Sequence, residues 1–405
     1  MGKKSRLGLM MFLEYAVWGA WWPVFFSYLL NVLKFDAMHA ARVFSLIPLA
    51  TIISPFIGGQ LADRYFPTQK VIAVLHLLCG ALMIMLSQIV DYEMMFWVML
   101  LYCLLFSPTL ALTNSITFHH LTDSERQFGW IRVGGTIGWM VAGYLLSGWR
   151  LAAKSNDVLA YSGDMLLLSG LLSLIMAFYA FSLPHTPPKK ESAKPWAFLE
   201  AIKMLKNSNF ALFILISFVV ATELMFYYQL TSPFLESDVI GIDRKYTSAV
   251  MTIAQFAEMF VMILLLPYFL PKYGIRKTLT LGILAWPIRY LIFAIGAPKW
   301  LVIASLSLHG FCYVFFFTAS MIYVDTVAPR DIRASAQSLF TLVTIGLGFY
   351  LGSDFAGWIQ KTFTAGDVIN WRGVFLVPFT LTCVCALVFP LIFREKLSFH
   401  KNGKS

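Results

Sequence analysis

A run of about 20 mostly apolar residues is long enough to cross a lipid bilayer as a helix. This chain carries twelve such runs, at approximately 7–33, 39–64, 70–90, 94–121, 126–149, 160–183, 208–235, 245–270, 276–296, 299–327, 331–359 and 371–394. A helix closes its own backbone hydrogen bonds, which is what a segment without water requires. The predicted fold is therefore an all-α integral membrane protein with twelve transmembrane helices. Composition agrees. Of 405 residues, 59% are apolar and 13% charged, against roughly 45–50% and about 25% in soluble chains. That balance excludes a soluble enzyme, a disordered regulator and a secreted disulfide scaffold.

The formal net charge of +10 would suggest nucleic-acid binding in a soluble chain, so the position of the basic residues matters. With the N-terminus inside, 20 of the 31 Lys and Arg fall in inner segments, 9 in outer loops, and Arg132 and Arg289 within spans. This is the positive-inside pattern with both termini cytoplasmic, and no nucleic-acid partner is expected. The basic start at Lys3, Lys4 and Arg6 precedes an apolar run too long for a signal peptide, and we read it as an uncleaved first helix. All five cysteines fall inside spans, in no metal-binding pattern. No metal or other cofactor is expected.

Connections are short except 184–207, which opens on PHTPP and a run of Lys. Such a segment marks a boundary. The expected organisation is an N-terminal six-helix bundle over 1–183, a cytoplasmic linker over 184–207, a C-terminal six-helix bundle over 208–394 and a tail over 395–405. The halves share features. Gly59-Gln60-Leu61-Ala62-Asp63-Arg64-Tyr65 with Lys70 follows the second span, and Pro271-Lys272-Tyr273-Gly274-Ile275-Arg276-Lys277 follows the eighth. Spans five and eleven both open on Ile-Arg (Ile131-Arg132, Ile332-Arg333) and later carry Thr-Ile-Gly (136–138, 344–346). Together these point to a duplicated six-helix unit.

The stretch G-x-L-A-D-R-Y with its following Lys resembles the loop signature of the major facilitator superfamily. Asp63, beside Arg64, is suited to a charge lock when the cytoplasmic side closes, with Arg333 as candidate partner; a solvated turn without gating role is the plainer alternative. Within that superfamily the resemblance extends along the whole chain. Phe12-Leu13-Glu14-Tyr15, Trp18-Gly19-Ala20-Trp21, residues 108–116, and Ile131-Arg132-Val133-Gly134-Gly135-Thr136-Ile137-Gly138 are similar to stretches of the nucleoside:proton symporter family. So are Gln255-Phe256-Ala257-Glu258, His309-Gly310-Phe311-Cys312-Tyr313 with Phe315-Phe316, and Arg333-Ala334-Ser335-Ala336-Gln337. The resemblance implies two bundles rocking about a central site, a nucleoside and a proton as the cargo, a bacterial inner membrane and a functional monomer.

Carboxylates inside spans are costly and mark function. Glu14, Glu223, Glu258 and Asp354 qualify. Glu258 lies midway along the eighth span with Gln255 on its face. A carboxyl group out of water favours its neutral, protonated form, so Glu258 is the leading proton-coupling residue. Glu223 is either a second one or a structural carboxylate. The resemblance implies that Gln255 and Glu258 contact substrate.

Helical spacing puts Arg132, Thr136 and Trp139 on one face. They would serve as donor, hydroxyl and stacking ring for substrate; alternatively Arg132 snorkels to the cytoplasm. The glycines of Gly134-x-x-x-Gly138 suit close helix packing. Near Pro233, one of the neighbours Tyr228 and Gln229 should face the cavity. His309, Tyr313 and Phe316 again fit one face at i, i+4 and i+7. The family commonly has Asp after this aromatic, whereas Val314 stands here, which removes a carboxylate expected at the ribose or in coupling. Arg289 has no role beyond packing or interfacial anchoring, and Glu14 is placed to pair across the cavity.

Composition and spacing alone support a transporter of a polar, aromatic solute; the word nucleoside comes from the resemblance. The rivals are a symporter of a sugar or other small polar metabolite and a non-transporting membrane sensor with a transporter fold. A membrane enzyme would need a nucleophile or metal cluster that the sequence does not show.

Overall fold

The computed structural model describes residues 2–53, 66–121, 124–153, 162–187, 201–329 and 332–394, without the side chains of 124–127, 129, 130 and 334. The expected Asp63 and Arg64 lock, much of the 184–207 linker and the tail from 395 lie outside the described residues.

Among the described residues the helices are α1 Lys3–Asn31, α2 Ala37–Ile53, α3 Thr68–Leu86, α4 Tyr92–His120, α5 Ser124–Ala152, α6 Asp164–Ala180, α7 Ser208–Glu236, α8 over 244–273, α9 over 275–295, α10 Lys299–Val327, α11 Ser335–Thr362 and α12 Trp371–Ile392. Among the described residues, eight apolar stretches are long enough to cross a membrane, with α8 and α9 counted as one. Those two are a single apolar run interrupted at Gly274, whose φ of 77° lies in the left-handed region, where a side chain would clash.

Polar residues start several helices, because the first backbone N–H groups have no partner in the helix itself. Asp36 accepts from the N–H groups of Met38 and His39 at 2.8 and 3.0 Å, Asp91 from Met94 at 2.9 Å and Asn370 from Gly373 at 3.0 Å. Asp243 accepts from the Lys245 N–H at 3.0 Å. Helix α1 is broken at Ala20–Trp21, just ahead of Pro23, which lacks an N–H and crowds the preceding turn. Three helices contain a wider π turn, at Val261–Leu265 in α8, Tyr313–Thr318 in α10 and Leu342–Gly348 in α11.

The chain forms two compact units, residues 1–194 with 228–252, and residues 195–227 with 253–405. In the first, α1 lies against α5 through glycines. A Cβ on Gly134 would sit 2.6 Å from the Gly8 carbonyl oxygen, Gly138 lies against the Phe12 carbonyl, and Gly19 packs on Trp139. Gly80 of α3 and Gly170 of α6 face each other in the same way. Lipid gives apolar surfaces little reason to associate, so close backbone approach and dispersion hold such crossings together. Leu7, Met10, Met11, Ile72, Ile116 and Met176 fill the core beside them.

The first unit also buries an ion pair. Arg150 donates to both carboxylate oxygens of Asp164 at 2.7 Å, and to the Arg244 carbonyl at 3.2 Å. Arg150, one residue past the expected fifth span, is 6% exposed and paired. In the second unit, Gly282 of α9 meets the backbone at Phe315 and Phe316, Gly310 of α10 meets Ala257 and Glu258 of α8, and Gly352 of α11 meets Thr222 of α7.

Candidate functional site

In the first unit, α5 presents Arg132, Thr136 and Trp139, all half-buried. The guanidinium carbon of Arg132 lies 3.8 Å above the Tyr15 ring, a cation–π contact that fixes a cation without neutralising it. Gly135 leaves room for both groups. Trp139 meets Trp18 edge to face at 5.4 Å, and Trp18 meets Trp22 at 5.8 Å and Phe106 at 6.4 Å. The Trp18 indole nitrogen and the Asn114 side-chain oxygen are buried with no hydrogen-bond partner among the described residues. The same unit holds Tyr228, half-buried with its ring 6.0 Å from Trp22, and Gln229, fully buried.

In the second unit, Gln255 and Glu258 are half-buried on α8, within two turns of its π turn. The close crossing at Gly310 brings α10 against the Glu258 backbone. Next to that crossing, His309 is fully buried, stacked on Tyr227 at 4.7 Å and tilted to Tyr313 at 5.7 Å. Glu223 is fully buried too. Its main-chain carbonyl accepts from the Tyr290 hydroxyl, and its Oε2 has no hydrogen-bond partner among the described residues.

Phe316 is fully buried, with its backbone against Gly282. The i+7 count placing it beside Tyr313 assumes 3.6 residues per turn, and the π turn over Tyr313–Thr318 adds a residue. The ring that follows Tyr313 is Phe317, at 5.6 Å. Arg333 lies 3.7 Å from Asp325, which also accepts from Gln337 at 3.1 Å.

Two residues have more prominent places than the sequence suggested. Arg289, read as an anchor, is wholly buried. Its guanidinium carbon lies 4.1 Å from the Tyr227 ring centre, 4.6 Å from Trp286 and 5.2 Å from Tyr290, and Nη1 lies 3.4 Å from His309 Nδ1. A cation on three aromatic rings keeps its charge where a bare one would be costly. Glu14, expected to pair across a cavity, bonds within its own unit, to His76 at 2.8 Å. His76 gave no sequence signal beyond being a lone polar side chain on an apolar helix.

The helix set, the glycine crossings and the polar side chains held inside apolar helices define a multi-pass membrane protein. Solved structures place the fold. A crystal structure of the nucleoside transporter NupG superposes with a TM-score of 0.86 at 28% identity, covering 98% of this chain and all of that one. The D-xylose–proton symporter matches with a TM-score of 0.75 at 13% identity, over 97% and 98% of the two chains, which establishes a shared major facilitator fold.

Sequence relatives narrow the class. The family described as nucleoside H+ symporter matches residues 1–398. The putative nucleoside transporter YegT of Escherichia coli K12 is 34% identical, covering 98% of this chain and 95% of its own. Xanthosine permease of the same strain is 31% identical over 96% and 95%. The chain belongs to the nucleoside H+ symporter family.

Proposed function

We propose that the protein imports nucleosides together with protons by alternating access, working as a monomer in a bacterial inner membrane with both termini cytoplasmic. The observation that carries this reading is the family match over 398 of 405 residues. A nucleoside has a flat base and an uncharged, hydroxylated sugar. Arg132, Thr136 and Trp139 offer a donor, a hydroxyl and a ring in one half. Gln255, Glu258, His309 and Tyr313 offer an amide, a carboxyl, an imidazole and a ring in the other, with Tyr228, Gln229 and Phe316 as further candidates. Glu258 takes the coupling proton, since a carboxyl held inside a membrane span is costly and marks a functional site. Glu223 is the second candidate for this role. Asp63, Arg64 and Arg333 are the gating candidates, with Asp325 as the resting partner of Arg333.

Purified protein in liposomes with an inward proton gradient should accumulate labelled uridine or adenosine above the external concentration, and Glu258→Gln should abolish accumulation while leaving exchange. Uptake that persists in Glu258→Gln, or that a protonophore leaves unchanged, removes Glu258 from coupling. Accumulation of a sugar but of no nucleoside overturns the substrate.

A further inference from the structure

We propose that Glu14 and His76, bonded to each other inside the N-terminal half, form a second proton-binding site of the transporter, apart from Glu258. This rests on the proton-coupled reading above and adds a site to it.

Counting hydrogens leads there. Both side chains are fully buried. Ser173 Oγ donates to the His76 carbonyl at 2.9 Å and also lies 3.0 Å from His76 Nδ1. A hydroxyl has one hydrogen; the assignment places that of Ser173 on the carbonyl, with Nδ1 as the donor to Ser173, and that of Thr109 on Glu14 Oε1. In a neutral ring Nε2 is then a bare acceptor, yet it sits 2.8 Å from Glu14 Oε2. Two lone pairs at that distance repel, so a proton lies between them, either as carboxylic acid donating to imidazole or as imidazolium donating to carboxylate. Thr109 Oγ1, 2.7 Å from Glu14 Oε1 and 2.6 Å from the Phe106 carbonyl, completes the shell.

With that one proton the pair is electrically neutral. Without it, a full negative charge would remain in a site whose other bonded groups are hydroxyls, a costly arrangement. Among the described residues, the other titratable groups packed around the pair are Cys79 of α3 and Tyr102 and Cys103 of α4, all buried. The cation on this part of α1 is Arg132 of α5, which lies on the ring of the next residue, Tyr15. Proton loss therefore requires water to reach between α1, α3 and α4, and a shift of α1 that admits water also moves the Tyr15–Arg132 contact of the substrate-binding face. The same helix thus ties proton occupancy to the grip on substrate.

The test is the steady accumulation ratio of labelled uridine in liposomes at several pH gradients, with the membrane potential clamped at zero. Each coupled proton multiplies the ratio about tenfold per pH unit. Wild type should rise about 100-fold per unit, and Glu14→Gln and His76→Gln about tenfold, with gradient-free exchange of uridine retained in both. Glu14→Gln or His76→Gln that exchange normally and keep the wild-type slope overturn the proposal and leave a structural pair. The wild-type slope needs no variant to fold: about tenfold per unit overturns the second site while the transport reading stands, and no dependence on the gradient removes both.

Discussion

Gly134→Ala tests whether the α1–α5 crossing sets the substrate-binding face. The added methyl would lie 2.6 Å from the Gly8 carbonyl oxygen, about 0.8 Å short of ordinary contact at 3.4 Å. The obstacle is backbone, so no rotamer change relieves it, and the helices must separate. Overpacking of this kind costs about 1–3 kcal/mol. Separation also displaces Arg132 and Thr136, two residues away on either side, relative to Tyr15. Misplacement near 1 Å can cost up to about 100-fold where geometry decides a rate. Gly148→Ala on the same helix is the control, because nothing lies within 4 Å of its new Cβ. Thermal inactivation in detergent and initial uptake rates should both separate the two variants, with Gly134→Ala losing stability and at least tenfold in uptake. Equal behaviour of the two would refute the argument that this crossing is close-packed.

The Arg150–Asp164 pair should be costly to break singly. Asp164→Asn is expected to lose about 3–5 kcal/mol, and replacing both residues by apolar ones to recover most of it; a melt that fails to recover contradicts the pairing. Arg289→Lys should impair uptake as strongly as Arg289→Met, since the planar stack on Tyr227 is lost in both, and rescue by Lys would show that charge alone matters. Backbone hydrogen bonding to the Lys245 N–H holds the Asp243 carboxyl below its ordinary value of 3.8. The stability that the Asp243 charge confers is therefore complete above that value and lost as pH falls through the lowered one. Asp243→Ala should cost about 1 kcal/mol at neutral pH and less in strong acid, as a pH series of melting temperatures would record.

Spans and turns were readable because they follow from length, hydropathy and capping chemistry, each local in sequence. Arg132, Thr136 and Trp139 were legible as a group because α5 runs without a π turn through them. Phe316 was not, because the π turn after Cys312 changes the residue count per turn, and no periodicity argument foresees that. The Arg150 pair was not legible, because its partner Asp164 lies fourteen residues away, across a segment with no helical pattern. His76 stayed hidden because its meaning depends on Glu14, Thr109 and Ser173, which three other helices bring to it. Arg289 was visible as an intruder in an apolar span, and Trp286 three residues earlier shared its face, yet the stack needed Tyr227 from α7.

If substrate and proton cross together, adding substrate must itself move protons. Liposomes containing a trapped pH indicator, with no starting pH gradient and the membrane potential clamped at zero, should acidify inside when uridine or adenosine is added outside, and should not when Glu258 is replaced by Gln. Nucleoside entry without acidification would show that the two do not cross together.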